Sequence, residues 1–369
     1  MRGTSIVAVA LAVVLMLALS LSSAPSKVHN AVFWRCDDGV IDVKYCDVLL
    51  PPLHFAFERS SFFRHLDIVE HLRSKSINIS GKISYFFDSY SMPKTFPYSF
   101  IVAGHAFGDH YSNHSGLYPK FYDFLSNNYL RSQSTNFIVF TGDIVRYNDQ
   151  KSWDTVTQQL QQLGLPYFFA LGNHDAEGLP TIGINLFENL FGNTYYTFNI
   201  QSDLFIVLDS QQQPRSISEP QLSFIEETLV NYPHKKRIFL FFHELLWNNA
   251  PEYQHILSNS RSRYQNIQAS NYWTHLHPIF TNHPDRSFYV FAGDVGGKPD
   301  AISAFYDTKD NVTLIASGMG EVEDENFLTV SITQNEVAFH LVPLNPHIEL
   351  QNLEYYSPEH YTERALLPQ

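Results

Sequence analysis

Short apolar runs separated by polar, turn-rich segments fill the middle of this chain. Each of these runs ends at a polar turn, as buried strands do. They occupy residues 98–102, 136–141, 166–171, 237–242 and 287–292. Helices are predicted between them at residues 117–131, 153–163 and 219–230, with Ser218 as the N-cap of the third. Strands that alternate with helices predict an α/β fold.

The pattern changes after Ala301. Shorter strand-like segments follow, with Asp-Asn and Gln-Asn turns between them, and they predict a second sheet. These segments are residues 302–306, 312–315, 327–332 and 337–342. The Pro-containing stretch 92–97 marks the entry to a main domain at residues 96–344. Residues 345–369 form a polar C-terminal tail whose role the sequence does not indicate.

Residues 1–24 have the pattern of a targeting segment. Arg2 precedes an apolar run at residues 6–19, and small residues follow it, as in a signal peptide. The run is short for a membrane-spanning helix. Because Pro25 makes cleavage directly after Ala24 unfavourable, cleavage near Ser20 and retention as a membrane anchor both stay open. We expect a secreted, periplasmic or lumenal protein rather than a cytosolic one with a buried N-terminal helix.

An N-terminal extension, residues 25–95, separates this segment from the main domain. It holds both cysteines of the chain, Cys36 and Cys46, which can close a small disulfide loop in an oxidising compartment. A zinc pair is the weaker alternative, because no matching His or Cys spacing follows. Residues 61–72 place apolar side chains at helical spacing, which predicts one amphipathic helix packed on the core.

Composition limits the class of partner. A chain of 369 residues that is 44% hydrophobic can build one large α/β domain with appendages. Its formal net charge of −13 argues against a nucleic-acid partner. The charge does not exclude small phosphate esters, because a bound metal supplies local positive charge. The oligomeric state is not indicated.

Polar side chains follow three of the predicted buried strands. Gly142-Asp143 follows the strand at 136–141, the motif GNHD at residues 172–175 follows the strand at 166–171, and His243 follows the strand at 237–242. The carboxyl edge of an open α/β sheet is where such folds bind ligands. A carboxylate, an amide and imidazoles at one edge suit Mn, Fe or Zn, which predicts metal-assisted hydrolysis.

This order of motifs resembles the calcineurin-like metallophosphoesterase superfamily, which includes the purple acid phosphatases. The resemblance extends over roughly residues 96–343. It implies a two-sheet αββα sandwich preceded by the N-terminal extension. It also implies hydrolysis of small-molecule phosphate mono- or diesters by a metal-activated water. His174 of GNHD then has the catalytic role: it protonates the leaving oxygen or stabilises the phosphate charge.

Two motifs of the superfamily are altered here. Its first strand is followed by Asp-x-His, and this chain has Ala103 at the aspartate position and His105 at the histidine position. Its last motif is Gly-His-x-His, and this chain has Asp294 and Gly296 at the two histidine positions. Carboxylate is a competent ligand for the same metals, so Asp294 can replace the first imidazole.

The resemblance divides these ligands between two metal sites. One site keeps Asp143, Asn173 and His243, and Asp294 completes it. The other keeps only His105 and the shared Asp143, so one ion and two ions both remain open. Asp109 or His110, in the loop after His105, could repair the weak site, or that loop could be an ordinary solvated turn.

Two functions are compatible with this pattern. The first is an exported metal-dependent phosphoesterase. The second is a catalytically weakened relative that serves as a binding or assembly module, which the changes at Ala103 and Gly296 favour. We prefer the enzyme, because the fold itself does not require a histidine at position 174.

Overall fold

The computed structural model of this protein describes residues 92–109, 111, 114–130, 133–176, 183–211, 215–260 and 270–366. The predicted signal segment, Cys36, Cys46 and the predicted helix at 61–72 lie outside these residues, as does His110. None of the helices in the described ranges is both long and apolar enough to cross a membrane.

Eleven strands form two sheets in the described part of the chain. They are β1 (Tyr98–Ala103), β2 (Phe137–Thr141), β3 (Tyr167–Ala170), β4 (Tyr196–Ile200), β5 (Asp203–Val207), β6 (Arg237–Phe241), β7 (Ser287–Ala292), β8 (Ala304–Lys309), β9 (Val312–Ser317), β10 (Asn326–Ile332) and β11 (Val337–Pro343). The first sheet has the order β11-β10-β1-β2-β3, and the second has the order β4-β5-β6-β7-β9-β8.

Parallel strands lie at the centre of both sheets. In the first sheet β1, β2 and β3 are parallel, and in the second β5, β6, β7 and β9 are parallel. Antiparallel strands extend each sheet beyond these. Strands β2, β3 and β5 are buried along their whole length, which explains why β2 and β3 read as continuous apolar runs.

The two sheets pack face to face through phenylalanine side chains. Phe100 of β1 meets Phe205 of β5 and Phe239 of β6 edge-on, with ring centroids 5.6 and 5.8 Å apart. Phe168 of β3 stacks on Phe198 of β4 at 3.8 Å. Edge-to-face and offset stacks are favourable beyond the area they bury, so the sheets are joined by an aromatic layer.

Helices cover the outer faces of the sandwich. Phe121 packs against Phe140 and Phe327 on the first sheet, and Phe280 packs against Phe288 on the second. The predicted αββα arrangement is therefore confirmed. The helices are α1 (Pro119–Phe124), α2 (Gln150–Leu163), α3 (Asn173–Ala176), α4 (Gly183–Phe191), α5 (Glu219–Asn231), α6 (His277–Thr281) and α7 (Pro358–Leu366).

Short helical segments of other types complete the described elements. The predicted helix at 117–131 is observed as α1 followed directly by the π-helical segment Leu125–Tyr129. A second π-helical segment is Tyr272–Leu276, and 3₁₀ turns occupy Leu246–Asn249, Pro251–Tyr253 and Leu353–Tyr355. The polar tail contains α7, where the hydroxyl of buried Tyr361 donates to the carbonyl of Ala304 over 2.5 Å.

Candidate metal centre

The turns after the parallel strands bring the predicted ligands to one edge of the sandwich. Asp143 follows β2, Asn173 follows β3, His243 follows β6 and Asp294 follows β7. Asp143 has a φ of 55°, in the left-handed region that aspartate tolerates better than most residues. Gly142 before it must be glycine, because a Cβ there would lie 2.4 Å from Nδ1 of His243.

His243 lies at the middle of this group. Its Nε2 is 3.3 Å from Oδ2 of Asp143, 3.6 Å from Oδ1 of Asp294 and 3.3 Å from Oδ1 of Asn173. Asp143, His243 and Asp294 are buried, and Asn173 is half-buried. Among the residues that the structure describes, these three buried side chains are the one His, Cys, Asp or Glu set whose ligand atoms all lie within 4.8 Å of one another.

These separations fit a shared ion. Ligand atoms about 2.1 Å from one ion stand about 3.0–3.4 Å apart, from octahedral to tetrahedral arrangements. The separations of 3.3–3.6 Å found here are longer than good hydrogen bonds. Oδ1 of Asp294 is buried and has no hydrogen-bond partner, while its Oδ2 accepts from the backbone N–H of Ser260 over 3.1 Å. A buried carboxylate oxygen without a partner is costly, and a metal ion would satisfy it. The donor set therefore fits a metal ion.

Backbone carbonyls orient the two buried imidazoles. Nδ1 of His243 lies 2.9 Å from the carbonyl oxygen of Thr141, and Nδ1 of His105 lies 3.0 Å from that of Met319. A carbonyl can only accept, so each Nδ1 carries a proton and Nε2 is the ring atom that can present a lone pair to an ion. This arrangement is typical of histidines that bind metals.

Asp175, the last residue of GNHD, ties two of the ligand turns together. Its Oδ1 accepts from the backbone N–H groups of Ile144 and Val145 over 2.9 and 3.0 Å. Its Oδ2 accepts from the N–H of Gly172 over 2.9 Å. The carboxylate is fully buried, so it clamps the turn after β2 to the turn after β3 and fixes the spacing of Asp143 and Asn173.

Protonation of the group follows from burial and charge. Burial acts to raise the pKa of Asp143, but the neighbouring His243, His174 and His105 outweigh it and hold this pKa well below its usual range. Burial, together with the charge of Glu244, raises the pKa of Asp294 to about 8. Burial acts to lower the pKa of His243, yet the carboxylates of Asp143 and Asp294 raise it to about 10. Asp143 is therefore the ionised anchor of the centre.

His105 is placed near Asp143 but outside the three-residue group. Its Nε2 lies 3.7 Å from Oδ2 of Asp143. The ring is enclosed by the Phe107 ring, at a centroid distance of 4.3 Å, and by Gly297, where a Cβ would lie 2.2 Å from the His105 ring. His105 thus keeps a position from which it could bind a second ion that shares Asp143.

The other altered positions are consistent with their packing. Ala103 is fully buried at the end of β1. Gly296 has a φ of 77°, and a Cβ there would lie 2.5 Å from the backbone of Gly318, so a histidine does not fit. Oδ1 of Asp109 accepts from the N–H of Tyr111 over 2.8 Å inside its own loop. Of the two predicted sites, the structure assembles the one that contains Asp294.

His174, the predicted catalytic residue, stands beside the group and is half-exposed, unlike His105 and His243. Its Nδ1 lies 3.0 Å from the carbonyl oxygen of Arg146, which accepts a hydrogen bond from the Nδ1–H. Its ring packs 4.6 Å from the ring of Phe107.

Sequence reasoning did not identify Glu244 as part of this region. Glu244 directly follows His243, is buried, and forms an ion pair with the partly buried Arg215. Nε2 of Gln211 also donates to its Oε1 over 3.3 Å. Its position next to a predicted ligand was the only sequence signal, since Arg215 and Gln211 come from a separate loop.

Comparison with known proteins agrees with this geometry. The family model for calcineurin-like phosphoesterases matches residues 105–318, well over half of the chain. The protein therefore belongs to the calcineurin-like phosphoesterase family, a family of hydrolases, and the predicted resemblance is confirmed. Among the curated proteins, none matches the chain.

The solved structures that match this chain share little sequence identity with it. The purple acid phosphatase PPD1 from yellow lupin (Lupinus luteus) seeds is 13% identical, with a TM-score of 0.48. That match covers 70% of this chain and 53% of the lupin chain, so it spans about half of the lupin protein. The solution structure of Thermotoga maritima protein TM1076 is 10% identical, covers 67% of this chain and 99% of its own, and has a TM-score of 0.29.

Proposed function

We propose that this protein is a metal-dependent phosphoesterase that hydrolyses small phosphate mono- or diesters. The observation that carries the proposal is the convergence of Asp143, Asn173, His243 and Asp294 on one point, with the half-exposed His174 beside it. An ion held there supplies Lewis-acid chemistry: it polarises a phosphoryl oxygen and makes water nucleophilic near neutral pH.

The residues of the chain hold and orient the reacting groups. Asp143 uses Oδ2 toward the centre, while its Oδ1 accepts from the backbone N–H of His174 over 3.0 Å. This bond ties the position of the proton donor to that of the central carboxylate. The Thr141 carbonyl keeps Nε2 of His243 directed inward. The centre is therefore built by short, mutually braced turns, as a preorganised site requires.

His174 supplies the proton chemistry. Because Nδ1–H donates a hydrogen bond to the Arg146 carbonyl, Nε2 is the ring atom that gives a proton to the departing oxygen. The same atom, when protonated, stabilises negative charge on the phosphate. Its partial exposure supports this role, because a substrate must reach it.

The cellular setting is part of the proposal. The apolar run at residues 6–19 supports export to a secreted, periplasmic or lumenal location, either cleaved or anchored. The net charge of −13 supports a small-molecule phosphate ester, not a nucleic acid, as the substrate.

A binding or assembly module is the second candidate. It is favoured by one observation: the side chains that would complete a second ion site at Ala103 and Gly296 are missing, and the backbone at Gly296 excludes a histidine. In that case the protein keeps an ion or phosphate ligand without turning over a substrate.

Metal content and a phosphatase screen on one sample distinguish these proposals. The purified chain should contain a transition metal and hydrolyse aryl phosphate mono- or diesters, and Asp143→Asn should lose the metal. Asp123→Asn, at an exposed position on α1, is the matched control and should keep it. Full metal occupancy in Asp143→Asn would contradict the site. A metal-replete parent without hydrolysis of any ester would favour the binding module.

A further inference from the structure

Because Asp294 stands where the family motif has a histidine, this centre has a different set of oxygen and nitrogen donor atoms. The donor atoms that face the common point are Oδ2 of Asp143, Oδ1 of Asn173, Oδ1 of Asp294 and Nε2 of His243. That is three oxygens and one nitrogen. A histidine at position 294 would make it two oxygens and two nitrogens, with one carboxylate fewer.

The backbone fixes Asp294 in place as a ligand. The N–H groups of Gly293 and Asp294 both donate to the carbonyl of His243 over 3.0 Å, so β7 and β6 end in register at the centre. The N–H of Asn259 donates to the carbonyl of Asp294 over 2.9 Å, and that of Ser260 holds its Oδ2. Only Oδ1 is left to face the centre, and it has no hydrogen-bond partner there.

The charge of the centre favours the same kind of metal ion as its donor atoms do. Asp143 and Asp294 place two carboxylates in a buried space beside one imidazole, with the further carboxylate of Glu244 balanced by Arg215. Hard oxygen donors and high negative charge favour Mn²⁺ and Mg²⁺, whereas imidazole nitrogens favour Zn²⁺. Replacing a nitrogen by a carboxylate oxygen therefore moves the preference of the site toward the harder ion.

We propose that this centre holds one Mn²⁺ ion through three oxygens and one nitrogen, and that Asp294 shifts its selectivity from Zn²⁺ toward Mn²⁺ relative to a histidine at the same position. The inference rests on the proposed function, because it requires that the centre binds a metal.

Metal competition on the purified 369-residue chain tests the preference. Metal-free parent, Asp294→His and Asp294→Asn are titrated with Mn²⁺ and Zn²⁺, and free Mn²⁺ is followed by its electron paramagnetic resonance signal. In Asp294→His the ratio of the Mn²⁺ to the Zn²⁺ dissociation constant should rise by roughly tenfold or more relative to the parent. Asp294→Asn keeps the shape and removes the charge, so it should weaken both ions.

A second measurement does not depend on the variants folding. Pulsed electron paramagnetic resonance of the Mn²⁺-loaded parent counts coordinated imidazole nitrogens, and one is expected. Two coordinated imidazoles, or an unchanged ratio of dissociation constants in a folded Asp294→His, would overturn the inference while leaving a metal centre intact. A parent chain that binds neither ion would instead overturn the proposed function, and the inference with it.

Discussion

The backbone N–H of His174 donates to Oδ1 of Asp143 over 3.0 Å. The bond joins the turn after β3 to the turn after β2, so the residue proposed to move a proton is positioned by the carboxylate at the heart of the centre. A change in the conformation of either turn should therefore displace both the predicted metal ligands and the proposed proton donor.

Asp175 should be the most sensitive position for this coupling. Its buried carboxylate accepts from three backbone N–H groups, and Asp175→Asn would turn an amide N–H toward at least one of these donors. We expect a loss of about 1–3 kcal/mol in the free energy of unfolding, together with reduced metal occupancy. Urea unfolding and elemental analysis measure the two effects.

Asp154→Asn is the control, because Asp154 is exposed on α2. It should leave both stability and metal content unchanged. If Asp175→Asn matched that control in both measurements, the clamp between the two turns would have no energetic role.

Metal stoichiometry distinguishes one ion from two. The structure assembles Asp143, His243 and Asp294, whereas Oδ1 of Asp109 bonds within its own loop to Tyr111. We therefore expect close to one equivalent of metal per chain, and no change in Asp109→Ala. Elemental analysis against protein concentration gives the number. A value near two that fell to one in Asp109→Ala would show that the loop repairs the second site.

The buried strands and the residues at their ends are the part of this fold that the sequence predicts best. Strands β2, β3 and β6 are apolar on both faces because sheets and helices cover them, so each reads as an unbroken run that stops at a predicted ligand. Parallel pairing then places these stops at one edge. This is why the positions of Asp143, Asn173 and His243 followed from sequence.

Other features depend on contacts between distant parts of the chain. The hairpin of β4 and β5 was not predicted, and its turn places Gln201 at a φ of 54°. The pair of Arg215 with Glu244 and the enclosure of His105 by Gly297 join residues far apart in sequence. Such contacts cannot be predicted from the hydrophobic pattern of the sequence, because that pattern indicates which residues are buried but not which residues they contact.

Metal binding should release protons at neutral pH. Burial and neighbouring charges raise the pKa of Asp294 to about 8 and that of His243 to about 10, so both hold protons at pH 7 without an ion. An ion competes with these protons, so apparent affinity should rise with pH by up to about tenfold per unit for each proton released. Asp143, whose pKa lies well below its usual range, contributes no proton.

Calorimetric titration with Mn²⁺ in buffers of different ionisation enthalpy counts the protons directly. The observed enthalpy should vary with the buffer, with the sign of proton release. An enthalpy that is independent of the buffer at pH 7 would show that the ligands are already deprotonated.

His174→Ala tests turnover at the proton donor. Nδ1–H of the half-exposed ring donates a hydrogen bond to the Arg146 carbonyl, and Nε2 is the atom proposed to protonate the leaving oxygen. General acid help is worth roughly 10²–10⁴-fold, so hydrolysis of an alkyl phosphate ester should fall by about that factor. A nitrophenyl ester, whose leaving group needs little protonation, should lose much less. Steady-state rates on both esters, at equal metal occupancy, give the comparison.

His275→Ala provides the matched control, since His275 is an exposed histidine on the π-helical segment Tyr272–Leu276. It should leave both rates unchanged. Equal losses on the two esters in His174→Ala would indicate that the side chain stabilises phosphate charge, because that role does not depend on the leaving group. Unchanged rates on both esters would remove His174 from the mechanism and leave the metal centre as the sole source of catalysis.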